Sequence, residues 1–441
     1  MEHPDDPIPV RATDASAAAP DGRARPDRRS PHAPRLPRLG GGGGVRRHAT
    51  WLELFFDLVF VLAIAELAGV LHEDTSPAGI KHFALLFVPV WWLWMGFSYY
   101  ADQFDSEEEP DSPAFRVTML AAMLGTVVLA VTVHDALAGG SAWFAATYGT
   151  LRVLLTGLYV SAGRHVPEAR ALCGRYATGF AVGAALWLGS LAAPGDWRYL
   201  VWAVALVIEI ATPVVAYFTT PTVPAQQSHM PERFGLFTLI VLGEAIVVVG
   251  SGLAESTAWA WRSTSVGVCG FVIAACLWWI YFDRVDDEAI SRAVSDGGYR
   301  ALARSFVYGY NHLFIYAGIA ATAVGMELAI AEAAHGGLTG GARAVGGGGI
   351  AVYLVALAAS QRASSRGLPG RVFGARLVVA AAVSGLAVLG DELDPPVLSG
   401  LVALALVGLT TFERVTAPAA EEIAGDPEYG VARKAAASPV A

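Results

Sequence analysis

Four ionisable side chains lie near the middle of long apolar runs, where charge is costly. They are Arg152, Glu209, Glu244 and His312. A charged residue at the centre of a membrane-spanning helix costs about 2.5–3.5 kcal/mol on insertion scales, so such groups face a partner or a water-filled cavity and avoid lipid. Because arginine stays charged, Arg152 requires a buried carboxylate. Glu244 and Glu209 are the first candidates and Asp57 is the third.

Two interpretations of these residues stay open. In the first, static ion pairs only lock helices together. In the second, one carboxylate, Glu244, is left over and loads and releases a proton or binds a cation, with Arg152, Glu209, Asp57 and His312 around it. A lone histidine such as His312 is also typical of a core residue whose ring nitrogens are both satisfied. We therefore predict an ion, proton or substrate site, with no metal and no cofactor.

Two further carboxylates open apolar runs that resemble each other. Glu53 begins the first run, four residues before Asp57 and on the same helix face, and Glu232 begins the seventh. A carboxylate in the first turn of a helix complements the positive end of the helix dipole, which is the simpler interpretation for both glutamates. Both are nevertheless included among the candidate ion, proton or substrate-binding residues.

The composition defines the class of protein that holds these residues. Of 441 residues, 54% are hydrophobic and only 16% are charged, whereas a soluble domain has about 25% charged residues. This predicts an all-α, polytopic helical membrane protein. The net charge of −9 argues against nucleic acid as a partner. The three cysteines, Cys173, Cys269 and Cys276, lie inside apolar runs and read as core residues.

Apolar runs long enough to span a bilayer recur twelve times along the chain. They cover about 51–71, 80–100, 115–134, 141–163, 173–193, 197–218, 233–253, 264–283, 304–328, 342–361, 371–390 and 397–412. The flanking segments, 1–48 and 416–441, are predicted to be disordered tails, since residues 1–48 contain almost no large apolar residues.

An internal repeat divides the twelve runs into two halves. Residues 53–62 match residues 232–241 in the opening glutamate, in the phenylalanine two positions later and in the apolar register. We therefore predict a first six-helix repeat over 49–228 and a second over 229–415. Six spans per half is an even number, so the two repeats would run parallel.

The orientation follows from the loop arginines and lysines. Arginines are frequent in the N-terminal tail and in the even-numbered connections, with clusters at 164–175, 284–304 and 362–376. The odd-numbered connections carry only scattered basic residues, namely Lys81, Arg198, Arg262 and Arg343. Both termini are therefore predicted to be cytoplasmic.

Three motifs carry a resemblance to a known family. They are Glu53-Leu-Phe-Phe-Asp57-Leu-Val-Phe-Val, Tyr100-Ala-Asp-Gln-Phe-Asp105 and Glu232-Arg-Phe-Gly-Leu-Phe-Thr-Leu-Ile-Val-Leu-Gly-Glu244. The chain resembles the bacterial low temperature requirement A family over roughly 47–415, and Arg152 and His312 also look like that family's pattern. The resemblance implies a multi-pass protein of the bacterial inner membrane, linked by name to growth in the cold. It implies no substrate and no reaction.

Three functions remain compatible with these features. The first is a secondary transporter or an ion pathway that uses buried carboxylates, with the lipid bilayer and an unidentified small molecule or ion as partners. The second is an intramembrane lipid-modifying enzyme, which is less favoured because the sequence has no paired-histidine metal motif and no serine-centred elbow. The third is a structural or sensory membrane protein. A homo-oligomer is compatible with all three.

Overall fold

Helices of 19 to 35 residues form the described part of the chain, which contains no strand. The structure is a computed structural model that describes residues 49–104, 113–137, 139–220, 229–255, 261–284, 299–333, 337–363 and 368–416. The two predicted tails lie outside these residues, apart from Thr416 at the end of the last helix.

Each of the twelve predicted apolar runs forms an α-helix. In chain order they are α1 (Trp51–Glu73), α2 (Pro77–Phe104), α3 (Pro113–Val131), α4 (Ser141–His165), α5 (Arg170–Gly189), α6 (Trp197–Thr219), α7 (Met230–Glu255), α8 (Trp261–Phe282), α9 (Tyr299–Ala333), α10 (Gly340–Ala363), α11 (Gly370–Leu389) and α12 (Pro395–Thr416). The last run, the shortest in the sequence, becomes a helix of 22 residues. The predicted all-α fold is confirmed.

Most of these helices can cross a bilayer. Within the described residues, ten are long and apolar enough to do so, and α4 and α5 are the two exceptions. Both exceptions have sufficient length, 25 and 20 residues, but contain more polar and small residues. They pack on each other, and α5 also packs on α6. The chain is therefore a multi-pass membrane protein.

Two faces of the bundle are used below to describe positions. The face at which α1 begins is termed the predicted cytoplasmic face, after the distribution of arginines, and the opposite one the predicted outer face. Contacts between helix ends agree with alternating helix directions, because the start of α1 meets the end of α2 and the start of α7. The end of α1 likewise meets the last third of α9.

Glycines bring α9 and α10 into backbone contact. A Cβ atom on Gly325 would lie 2.2 Å from the Cα atom of Gly346, and one on Gly318 would lie 2.8 Å from the carbonyl oxygen of Gly349. A side chain does not fit at these positions, so the glycines let the two helix backbones approach closely. The glycine run 346–349 thus serves helix packing.

The helices of the two predicted repeats pack against one another. The central helix α1 contacts α2 and α3 of its own half and also α7 and α9 of the other. All described helices belong to one compact unit. The parallel six-helix repeat is not confirmed and stays a prediction.

Candidate functional site

A buried ion pair joins α1 to α7 near the predicted cytoplasmic face. Arg233, in the first turn of α7, donates to both oxygens of Asp57, through Nη2 to Oδ1 and through Nε to Oδ2 at 3.3 Å. The indole N–H of Trp94 on α2 donates to Asp57 Oδ1 at 2.7 Å. Asp57 and Arg233 have no exposed surface. This buried bidentate pair, with Trp94, therefore ties three helices together.

Glu53 extends the pair toward the start of α1. Its backbone N–H donates to Thr50 Oγ1 at 3.3 Å, and its Oε2 accepts from the Thr50 N–H at 2.8 Å, which makes a capping box. Its second oxygen, Oε1, lies 3.6 Å from Arg233 Nη1 and 3.2 Å from His229 Nε2. Glu53 therefore fills the expected helix-capping role and also joins the buried charges.

His229, immediately before α7, connects two carboxylates. Its backbone N–H donates to Asp102 Oδ1 at 2.9 Å, and its Nδ1 lies 2.8 Å from the same oxygen, close enough for charge pairing although not aligned for a hydrogen bond. Burial alone would lower the pKa of His229, but Asp102 and Glu53 together outweigh burial and raise this pKa to about 9. The histidine is therefore cationic at neutral pH. Glu53, Asp57, Asp102, His229 and Arg233 are termed the inner network.

Arg152 finds its carboxylate on α6. Its Nε lies 2.9 Å from Glu209 Oε2, and Tyr148 links the two side chains. The Tyr148 hydroxyl accepts from Arg152 Nη2 at 2.7 Å and donates to Glu209 Oε2 at 2.9 Å. All three side chains are fully buried. A Cβ atom on Gly183 would lie 2.5 Å from Glu209 Oε1, so this pair is tightly enclosed. The geometry fits a structural ion pair that holds α4 and α6 together.

His312 on α9 is satisfied within the core. Its Nδ1 lies 2.8 Å from the Tyr308 carbonyl oxygen, which can only accept, so Nδ1 carries the proton. Its Nε2 lies 3.0 Å from the Tyr281 hydroxyl, which then donates to it. The ring also stacks on Phe234 with centroids 4.1 Å apart. The arrangement matches the interpretation of His312 as a core histidine.

Glu244 lies elsewhere, on a partly exposed face of α7. Its side chain is half-buried, and its neighbours Gly243 and Val247 are exposed. Glu327 on α9 is close enough to act on it electrostatically. Glu327 Oε2 in turn lies 3.2 Å from His72 Nδ1 at the end of α1. Glu244, Glu327 and His72 are termed the outer group, because they occupy the half of the bundle nearer the predicted outer face.

A second histidine contact lies beside the outer group. Nδ1 of His134, in the turn after α3, is 3.0 Å from Glu66 Oε2, and its Nε2 is 3.8 Å from Glu73 Oε1. A Cβ atom on Gly69 would lie only 3.0 Å from the imidazole. The ring therefore rests directly on the α1 backbone between the two carboxylates.

An aromatic layer separates the inner network from the outer group. Trp94 stacks on Phe237 with centroids 4.5 Å apart, and Phe237 packs edge-on against Tyr316 at 4.9 Å. The Tyr316 hydroxyl donates to the Phe234 carbonyl oxygen at 2.9 Å. Trp94, Phe234, Phe237 and Tyr316, together with His312, are termed the aromatic layer. All five side chains are buried.

A third buried ion pair joins α11 to α12. Arg376 donates through Nε and Nη2 to the two oxygens of Glu413, each at 2.7 Å, and through Nη1 to Gln361 Oε1 at 2.8 Å. Arg284 Nε lies 3.4 Å from Glu413 Oε2. The assignment of Arg376 to an orienting loop cluster is therefore wrong, because its side chain is fully buried.

The structure does not bring the candidate residues into one cluster around Glu244. Arg152 pairs with Glu209, Asp57 pairs with Arg233, and His312 bonds to tyrosines. Which of these residues bind a proton, an ion or a substrate stays a prediction.

Sequence reasoning missed part of the inner network and the role of one helix start. Arg233, His229 and Asp102 were not among the candidates, although a cation inside an apolar run and a histidine four residues before it were visible signals. Glu232 lies in the first turn of α7 and is partly exposed, consistent with the helix-dipole interpretation.

The fold and these sites define a polytopic α-helical membrane protein whose charged groups pair inside the bundle. The chain belongs to the bacterial low temperature requirement A protein (LtrA) family, whose profile matches residues 48–410. It is also similar to an uncharacterised protein of Rhizobium meliloti (strain 1021). The two are 33% identical over 349 residues, which cover 75% of this chain and 82% of that protein. The family resemblance of the motifs is confirmed.

Proposed function

We propose that this protein moves protons or small cations across the membrane, alone or coupled to a solute, along α1, α7 and α9. One observation carries the proposal: ionisable residues lie on both sides of the aromatic layer, in the inner network on α1, α2 and α7 and in the outer group on α1, α7 and α9. Intramembrane ionisable residues are rare and typically mark ion or proton routes. The bilayer and an unidentified ion or small molecule are the partners this function requires.

The order of residues along α7 supports this route. Arg233 belongs to the inner network, Phe237 to the aromatic layer and Glu244 to the outer group. At 1.5 Å per residue, Phe237 lies about 6 Å from Arg233 along the helix axis and Glu244 about 10 Å further. An ion moving beside α7 would thus meet a charged site, an aromatic barrier and a second charged site in turn.

The aromatic layer would act as the closed gate. Its stacked rings leave no direct contact between Asp57 and Glu244. Trp94 belongs to the layer and contacts the inner network, because its indole N–H donates to Asp57. A change in the charge state of Asp57 or its neighbours would therefore act on the gate through Trp94. A gated pathway needs such a coupling between the charge state of its binding site and the position of the gate.

Glu244 would be the outer binding carboxylate. It is half-buried, faces Glu327 and has no ion-pair contact within 4.0 Å among the described residues. Two neighbouring carboxylates at this depth can bind a proton or share a cation. The enclosed pairs Arg152–Glu209 and Arg376–Glu413 would instead hold helices together.

The proposed location is the bacterial inner membrane, with both termini in the cytoplasm. The arginine-rich even-numbered connections support this orientation. The inner network would then face the cytoplasm and the outer group the exterior. A reporter that is active only in the cytoplasm, fused to either terminus, tests the orientation, and an inactive reporter at either terminus would contradict it.

Proton flux into liposomes that contain the purified protein tests the function. We expect a flux between pH 5 and 8 that Glu244→Gln abolishes while the protein stays folded. Glu332→Gln is the matched control, because Glu332 is also a glutamate in the outer half of the bundle, on α9, but it accepts from Thr339 outside the proposed route. Phe237→Leu should increase the leak by loosening the gate. No flux from folded wild-type protein with protons, Na⁺ or K⁺, or equal flux with Glu244→Gln, would contradict the proposal.

A further inference from the structure

A cleft lies among α8, α9, α10, α11 and α12, apart from the residues of the proposed route. It has a cavity volume of about 60 Å³ and is partly open. Its deeper walls are apolar and include Ile273, Met326, Ile350, Val383 and Val402. This space is termed the outer cleft, because it begins at the predicted outer face.

The rim of the outer cleft is polar and fixed. Arg343 lies in the first turn of α10 and Ser399 in the first turns of α12, and both line the cleft. Arg343 donates through Nε to the Ala387 carbonyl oxygen at 3.1 Å and through Nη1 to the Leu338 carbonyl oxygen at 2.6 Å. Backbone groups thus hold the guanidinium at the mouth, while its positive charge stays uncompensated by these neutral partners.

The cleft extends from the membrane interface into the hydrocarbon region. From Arg343 to Ile350 the wall formed by α10 spans seven residues, which is about 10 Å along the helix axis. Gly346 and Gly347 line this wall and let α9 and α11 pack closely against α10, so the space between these helices is narrow. The shape is a narrow apolar slot below a single cation.

We propose that the outer cleft binds an acyl chain of an anionic phospholipid and that Arg343 binds its phosphate. The occupant comes from the bilayer, because the slot lies among membrane helices and its walls are apolar. Lipid tails are as apolar as these walls, so the tail alone gives no selectivity. Selectivity comes from the rim, where the guanidinium fork of Arg343 matches phosphate oxygens and attracts an anionic head group.

Head-group selectivity tests the role of Arg343. The full-length protein is purified in detergent and mixed with phosphatidylglycerol and phosphatidylcholine of identical acyl chains, and bound lipid is counted by native mass spectrometry. We expect an anionic preference of about fivefold, which is what one basic residue near anionic lipid contributes. Arg343→Gln should bring the preference close to one. Lys81→Gln, which removes an exposed cation from the same membrane face, should leave it unchanged.

Filling the slot tests the position of the chain. Ser399→Phe should block the mouth and reduce bound phosphatidylglycerol at least fivefold, whereas Leu401→Phe, two residues further on an exposed site, should not. Ala387→Leu serves as a second filling variant if Ser399→Phe is not monodisperse. Equal retention of the two lipids by the wild type, a preference that survives Arg343→Gln, or full retention by a folded filled variant would overturn the proposal.

Discussion

Two mid-membrane glutamates should respond in opposite ways to the same substitution. Glu209 is fully buried and holds Arg152, whereas Glu244 is half-buried and faces another carboxylate, Glu327. Glu209→Gln should therefore destabilise the fold strongly, and Glu244→Gln should leave the fold almost unchanged. The difference between the two stability changes distinguishes a carboxylate that stabilises the fold from one that does not.

The magnitude for Glu209→Gln follows from the contact distance. At the 2.9 Å between Arg152 Nε and Glu209 Oε2, the Coulomb attraction is about 6 kcal/mol with an effective dielectric constant of about 20. The new amide still offers an acceptor, and Tyr148 keeps its bonds to Arg152. The net loss should therefore be about 3–5 kcal/mol, as for other buried pairs that lose one partner. For Glu244→Gln we expect a change within about 0.5 kcal/mol.

The assay is the free energy of unfolding of the purified protein in mixed detergent micelles. A double variant, Arg152→Met with Glu209→Leu, should recover most of the stability because no buried charge is left unpaired. A loss below about 1 kcal/mol for Glu209→Gln, or equal losses for both glutamates, would refute the reasoning. Failure of the double variant to recover would show that packing, and not charge, dominates at this site.

Three further predictions concern other contacts. The pKa of His229 is about 9 in the folded protein and 6.5 ordinarily, so its protonation should add about 3 kcal/mol to the free energy of unfolding below pH 6.5. This contribution should be lost as the pH rises through 9. The free energy of unfolding measured from pH 6 to 10 should show the loss in the wild type but not in His229→Gln. Arg376→Gln should lower the free energy of unfolding by about 3–5 kcal/mol, because Glu413 loses its bidentate partner. If charge is the cause, the double variant Arg376→Gln with Glu413→Gln should recover most of this stability. Gly325→Ala should cost about 1–3 kcal/mol, because its Cβ would meet the backbone of Gly346, and an unchanged thermal midpoint would contradict the packing described here.

The helices were predictable because long apolar runs leave few other structures in a bilayer. Backbone groups have no water to bond in lipid, so each run must form a helix. The length of an apolar run was therefore enough to predict a helix, even for the final run, which forms Pro395–Thr416. The helix neighbours were not predictable, because side chains such as Gly325 and Gly346 determine them through contacts between distant parts of the chain.

The candidate site was predictable only in part. Burial of charge in an apolar run pointed correctly to Arg152 and to Glu209 as one of its possible partners. Which of Glu209, Glu244 and Asp57 pairs with Arg152 depends on which helices are neighbours. A single sequence does not contain that information. His229 escaped notice for a different reason: it precedes its helix by one residue and becomes buried only because α1, α2 and α7 converge there.

The contact between α9 and α10 also limits how the protein can move. The backbones are in contact at Gly325 and Gly346, so even a small slide of one helix along the other would make them collide. The two helices therefore form a rigid pair. Since α9 supplies His312 and Tyr316, two of the five side chains of the aromatic layer belong to this rigid pair. On the proposed route, an opening of the layer would therefore require α7 and α2, which carry Phe237 and Trp94, to move relative to the α9–α10 pair.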